Sequence, residues 1–328
     1  MSYASNTPRR TYRFRPFRWA LGLAIGLVLP GCLKSEDTDL QKRIKDDDDQ
    51  IQKYFKDLSV GVDKDNLGLY FSVLEANPDG QLAQANDILS IYYVVSPLNG
   101  PVFDSLTVRD GPPLKLKLLA NALVPVGLDR GLSRMREGEK YRFFIPSALA
   151  YGKYQYSAAF PEYTNLVVDA EVVRIETEAE QQAVETRAIR QHLAAHQLDD
   201  VDSLDAGLFY QRIREGQGSL PQAGQQVRLN YVGKYLNGTV FDENTAGSFG
   251  FVIGGKKVIA GFEEGVMRMR KGEKGRIFIP SHLAYGATLQ VIPQRIREDL
   301  IRQEQIENED RIPPFSVLVF EVELLDIS

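Results

Sequence analysis

Asn230-Tyr231-Val232-Gly233, followed by Val240-Phe241-Asp242, is the stretch on which the fold turns, because the chain has written it once before as Tyr92-Tyr93-Val94 and Val102-Phe103-Asp104. The spacing is constant across both halves of the block (231 − 93 = 138). Working outward, Gly131, Met135, Gly138, Pro146, Tyr151 and Gly152 return as Gly265, Met269, Gly272, Pro280, Tyr285 and Gly286. Even the lead-in repeats, Leu67-Gly68-Leu69-Tyr70 against Ala206-Gly207-Leu208-Phe209. Self-similarity over this length means two copies of one domain, and the places where the register changes belong in loops.

Within the second copy, Val227, Leu229 and Tyr231 alternate with polar residues, as do Phe249, Phe251 and Ile253 and the stretch Val317 to Glu323. A period of two marks half-buried antiparallel strands. Gly261 to Met267 is the one short helical turn, with Phe262 and Val266 on one face. The fold class is therefore α+β: in each copy, a curved antiparallel β-sheet packed around a short α-helix.

The chain has 328 residues, of which 43% are hydrophobic and 25% charged, with a net charge of −5. This length accommodates two globular domains. A slightly acidic balance lacks the concentrated basic face that phosphates require, so no nucleic-acid partner is expected.

The basic residues Arg9, Arg10, Arg13, Arg15 and Arg18 precede the apolar run Trp19 to Leu29, the order of a secretory signal peptide over residues 1–31. The run is shorter than the roughly 20 apolar residues of a spanning helix. Leu29-Pro30-Gly31-Cys32 follows and resembles a bacterial lipobox, which implies lipidation of Cys32, the single cysteine of the chain. The expected location is outside the cytoplasm, on a bacterial membrane through a lipid anchor.

Residues 32–60 read as a tether and short helix, with Asp46 to Asp49 as a solvated acidic face rather than a calcium loop. The first domain covers 61–176, a helical linker 177–205, and the second domain 206–328.

The second copy resembles the FKBP-type peptidyl-prolyl cis/trans isomerases over nearly its whole length. The resemblance rests on the blocks already quoted, on Val258-Ile259-Ala260-Gly261-Phe262, on Ile279-Pro280 through Ala284-Tyr285-Gly286, on Ile312-Pro313-Pro314 and on Leu318 to Leu325. It implies two FKBP-like domains and a proline pocket in the second. Tyr231, Phe241, Asp242, Ile259, Tyr285 and Phe320 would be its catalytic residues, with Phe249, Val258, Phe262 and Ile312 as further substrate-binding walls. Phe262 stands where the family typically has Trp, which keeps an aromatic floor but shrinks it. By the same resemblance the Ile259 N–H and the Tyr285 hydroxyl hold peptide carbonyls. No cofactor and no metal are implied; the partners would be prolyl-containing unfolded or exported polypeptides. The sequence sets no oligomeric state.

The first copy keeps Tyr93, Phe103, Asp104 and Tyr151 but has Leu114, Leu128 and Val168 for Phe249, Phe262 and Phe320, and Pro125 for Ile259. Proline has no N–H to donate. This degenerate site should bind or turn over prolyl peptides weakly, if at all.

The insertion 287–311 adds a segment at the rim of the second pocket. Pro293 can open a helix there, and Ile292, Ile296, Leu300 and Ile301 mark one apolar side. Such a helix either captures client chains beside the site or packs on its own domain, and the second is the plainer expectation.

Other chemistry is discounted. Gly250 and Gly255-Lys256 imitate a phosphate loop, but Lys257 occupies the magnesium-ligand position. His192 and His196 have no evident third metal ligand, and His282 has no acid–base partner.

Overall fold

The computed structural model describes residues 33–56, 61–306 and 312–328; the signal segment and Cys32 lie outside them. In the first copy the sheet runs Asp63–Lys64, Tyr70–Glu75, Lys140–Ile145, Leu166–Glu176, Ile88–Pro97, with Asp104–Leu106 and Leu114–Lys117 both paired to the last of these. The second copy gives the same antiparallel order from the other edge: Val240–Val252, Gln226–Tyr235, Leu318–Ile327, Lys274–Ile279, Phe209–Arg214, Val201–Ser203. Matching irregularities fall between Ser90 and Ile91 and between Arg228 and Leu229, so the repeat extends to the bulge that bends the central strand.

Helices α2 (Val126–Leu132) and α4 (Ala260–Val266) are the expected short helices. They press closely on the sheet because the sequence supplies glycines at the contact. A Cβ on Gly127 would meet Ile145 Cγ2 at 2.5 Å, and one on Gly261 would meet Ile279 Cγ2 at 2.4 Å. No side chain fits there without displacing the helix.

Two longer helices cover the opposite faces, α1 (Leu33–Phe55) on the first sheet and α3 (Glu178–Ala195) on the second. On α1, Ile51, Tyr54 and Phe55 pack with Tyr70, Phe144 and Val167. On α3, Ile189 and Leu193 pack with Phe209, Phe278 and Val319. Both faces of the central strands are thus buried: Phe143, Phe144 and Ile145 run consecutively through the core, as do Ile277, Phe278 and Ile279. A capping box closes the start of α3, where Thr177 and Glu180 satisfy each other's backbone N–H.

These helices correct the sequence expectation. What read as a short helix on a tether is 23 residues long, and the expected helical linker does form a helix but packs on the second sheet as the matching element of that copy. The acidic run is not wholly solvated either. Asp47 is 0% exposed, and its carboxylate accepts from the Ser147 backbone N–H at 3.0 Å and the Ser147 hydroxyl at 2.6 Å. Asp48 accepts from the Tyr70 hydroxyl at 2.6 Å and pairs with Lys64. In the second copy Glu185 grips Ser281 likewise, with both bonds at 2.7 Å. Each long helix therefore pins the Pro-Ser turn that leads to Tyr151 or Tyr285.

Burial pushes the Asp47 carboxyl above its ordinary 3.8, outweighing the Ser147 bonds and the Arg43 charge. A raised folded value means that its stabilisation is full below the unfolded value and is lost as pH rises through the folded one. Asp47→Asn, neutral throughout, should gain stability relative to the parent chain between about pH 4 and 7. Denaturant melts at both ends of that range check this; a difference independent of pH excludes it.

The insertion departs furthest from expectation. Gln290–Val291 forms a two-stranded parallel pair with Leu123–Val124 of the first copy, and each strand runs into a cis prolyl bond. Helix α5 (Gln294–Arg302) follows, capped at its start by Pro293. Ile296, Leu300 and Ile301 are buried, as their spacing predicted, but Val291, Ile292, Ile296 and Leu300 belong to the core of the first copy. Ile296 and Leu300 of this helix thus pack into the first copy rather than into the core of their own domain. Helical periodicity says that one face is buried, and nothing in it says against what.

Candidate functional site

In the second copy the predicted aromatic residues converge. The Tyr231 ring, on the strand Gln226–Tyr235, stands between Phe249 (centroids 5.0 Å apart), Phe262 (5.9 Å) and Phe320 (6.0 Å). Phe320 also meets Phe262 at 4.9 Å and Phe241 at 5.6 Å, the latter at 88°. Edge-to-face contacts of this kind set positive ring edges against negative faces and hold the walls in place. Phe251, read from the sequence as a strand residue only, joins the floor at 6.1 Å from Phe262.

The sheet and α4 together make this box. Tyr231, Phe249 and Phe320 come from three adjacent strands, Phe262 from the helix buried against them. Tyr231, Phe241, Phe249, Val258, Ile259 and Tyr285 are only partly buried, so the box has an open side. Ile312 is buried in the same cluster, its carbonyl accepting from the Thr288 hydroxyl. At the polar edge the Tyr231 hydroxyl donates to Asp242 at 2.7 Å. Ile259 is the extended residue that caps α4, and Tyr285 follows the turn pinned by Glu185. Among the described residues no group of three His, Cys, Asp or Glu side chains could hold a metal.

One determinant escaped the sequence. Gly233 lies beside Phe241 and Phe320, and a Cβ there would come within 2.9 Å of both rings. The equivalent residue of the first copy is Val95, which is buried and pairs with Val168, the residue replacing Phe320. Gly plus Phe has become Val plus Val: the first copy moves apolar volume from the pocket wall into its floor, a compensated exchange.

The first site also gains aromatics from the loop after Tyr151. Phe160 is buried, 5.4 Å from Phe103 and 5.6 Å from Tyr151, and Tyr156 meets Phe103 edge-on at 5.8 Å. Leu128 and Val168 are fully buried in the same cluster. Pro125 caps α2 as Ile259 caps α4, which confirms the equivalence of the two positions. Tyr93 donates to Asp104 at 3.2 Å but is only 2% exposed, unlike Tyr231.

The family model described as FKBP-type peptidyl-prolyl cis-trans isomerase matches residues 80–173 and 218–325. The chain belongs to that family, and both copies fall within the match. It is 36% identical over 129 residues to the FKBP-type 22 kDa peptidyl-prolyl cis-trans isomerase of Escherichia coli, covering 39% of this chain and 54% of that protein. It is 28% identical over 245 residues to the human peptidyl-prolyl cis-trans isomerase FKBP9, covering 74% of this chain and 35% of the human one. The chain thus spans about half of the bacterial relative and a third of the human one. Among solved structures, FkpA from Escherichia coli is 29% identical with a TM-score of 0.34, covering 46% of this chain and 62% of that one.

Proposed function

We propose that the protein is a peptidyl-prolyl cis/trans isomerase whose activity resides mainly in the second copy. The carrying observation is the half-open aromatic box around Tyr231 with the Tyr231–Asp242 pair at its edge. Rotation about an X-Pro bond breaks amide resonance across a barrier of ~20 kcal/mol. The twisted amide has lost charge separation, so dry aromatic walls favour it over the polar ground state. Tyr231, Phe241, Phe249, Phe262 and Phe320 supply those walls. Ile259 and Tyr285 orient the peptide, and no proton needs to be exchanged.

The substrates are prolyl segments of unfolded, exported polypeptides, for which slow prolyl steps limit folding. The signal segment and Cys32 support export and attachment to a bacterial membrane by lipid. A holdase that captures chains beside the second site finds less support, because the insertion suited to that role lies against the first copy.

A prolyl-peptide isomerisation assay on the full chain tests this reading; a chain that accelerates no prolyl peptide sinks it. Gly233→Ala sharpens the test, because the added methyl must displace Phe241 or Phe320. A loss of about fivefold or more in kcat/KM is expected from roughly 1 kcal/mol of strain in the walls. Unchanged turnover in that variant would move the activity away from these rings.

A further inference from the structure

The segment that enters the first copy meets the pocket as a peptide ligand would. The Ile292 N–H donates to the Val124 carbonyl at 2.8 Å, and the Gln290 N–H to the Ala122 carbonyl at 2.8 Å, so the segment adds a short strand to the pocket rim. The carbonyl of Ile292, the residue before Pro293, accepts from the Tyr151 hydroxyl at 2.8 Å. The N–H of Gln294, the residue after it, donates to Asp104 at 2.6 Å. The polar groups flanking the Ile292-Pro293 unit are thus met by Tyr151 and Asp104, the counterparts of Tyr285 and Asp242.

The rest of the fit is apolar and electrostatic. Ile292 is 0% exposed and Pro293 is buried. The Arg295 guanidinium lies 5.8 Å over the Phe103 ring. Asp299 accepts from the Tyr154 hydroxyl at 2.6 Å. Burial drives the Tyr151 hydroxyl well above its ordinary pKa, so it stays a donor over the physiological range. Pro125 is no obstacle, since the strand bonds at the rim use the carbonyls of Ala122 and Val124 and need no N–H from residue 125.

We propose that the first copy is a docking site for aliphatic-proline peptide segments, and that its resident ligand is Val291-Ile292-Pro293-Gln294 of the second copy. The site is closed to outside chains while this segment is seated, and the seated segment ties the two copies together. The second copy's activity plays no part in the inference.

The test counts sites. A fluorescent peptide copying residues 289–296 is titrated onto the full chain and onto a chain in which 287–311 is replaced by a short glycine-serine loop. One additional bound peptide per chain is expected after the replacement, whatever number the second copy contributes; an unchanged count overturns the proposal. The count is read without turnover, so it holds equally for a chain with no isomerase activity. Because the replacement also removes Ile292, Ile296 and Leu300 from the first core, a second measurement keeps the segment in place. In the full chain carrying Tyr151→Phe and Asp104→Ala, the amides of Ile292 and Gln294 should exchange hydrogen about tenfold faster or more, as loss of two such bonds requires. The strand Leu318–Ile327 serves as the internal reference. Parent-chain exchange rates at those two amides would overturn the proposal.

Discussion

Phe241→Ala is expected to lower kcat/KM for prolyl-peptide isomerisation roughly tenfold to three-hundredfold. Phe241 is the wall that meets Phe320 at 88° and Tyr235 at 5.1 Å, and it stands next to Asp242 at the polar edge. Removing it opens one side of the box to water and releases Phe320 from its edge-to-face contact. An aromatic pair is worth about 0.5–1.5 kcal/mol beyond burial. The lost apolar wall adds roughly 1–2 kcal/mol, and each 1.4 kcal/mol is tenfold in rate. Phe241 is only partly buried, so the change should cost less stability than the 3–5 kcal/mol typical of a fully buried ring. Phe241→Leu, which keeps most of the volume, should fall between the parent chain and the alanine variant. Parent-level turnover in Phe241→Ala would place the chemistry elsewhere.

The convergence of the aromatic residues in the second copy was legible because they lie in blocks of fixed spacing, and Tyr231 and Phe249, from two alternating strands, meet in the structure. Three things were not legible, each for a physical cause. Asp47 and Glu185 are acids on helices rich in charged residues, and charge normally marks a solvated face; only the three-dimensional position of Ser147 and Ser281 makes them partners of those turns. Their four-residue spacing to Ile51 and Ile189 was the available signal, a polar residue aligned with the apolar stripe on both helices. The Gly233–Phe320 and Val95–Val168 exchange is a conservation of volume between neighbouring strands, visible only once their register is known. Phe160, Tyr154 and Tyr156 lie in a loop, where periodicity carries no information about direction.

The insertion was equally opaque, and it is also where a single substitution should have its largest effect on stability. Ile292→Ala lies in the sequence of the second copy, yet it is expected to destabilise the first by about 2–5 kcal/mol, the usual cost of truncating a fully buried aliphatic side chain. The cavity would open inside the core of the first copy, beside Tyr151, whose hydroxyl meets the Ile292 carbonyl. The neighbouring hydrogen bond from Tyr151 to the Ile292 carbonyl is a backbone contact and survives the change, so the loss measures packing alone. Hydrogen exchange separates the copies: amides of Leu166–Glu176 should open more readily in the variant than in the parent, and by a larger factor than those of Leu318–Ile327. An increase confined to the second sheet would mean that Ile292 stabilises its own domain. The expected pattern instead makes the second copy a contributor to the core of the first, so that a change in residues 290–300 is felt across the pair before it reaches the open site around Tyr231.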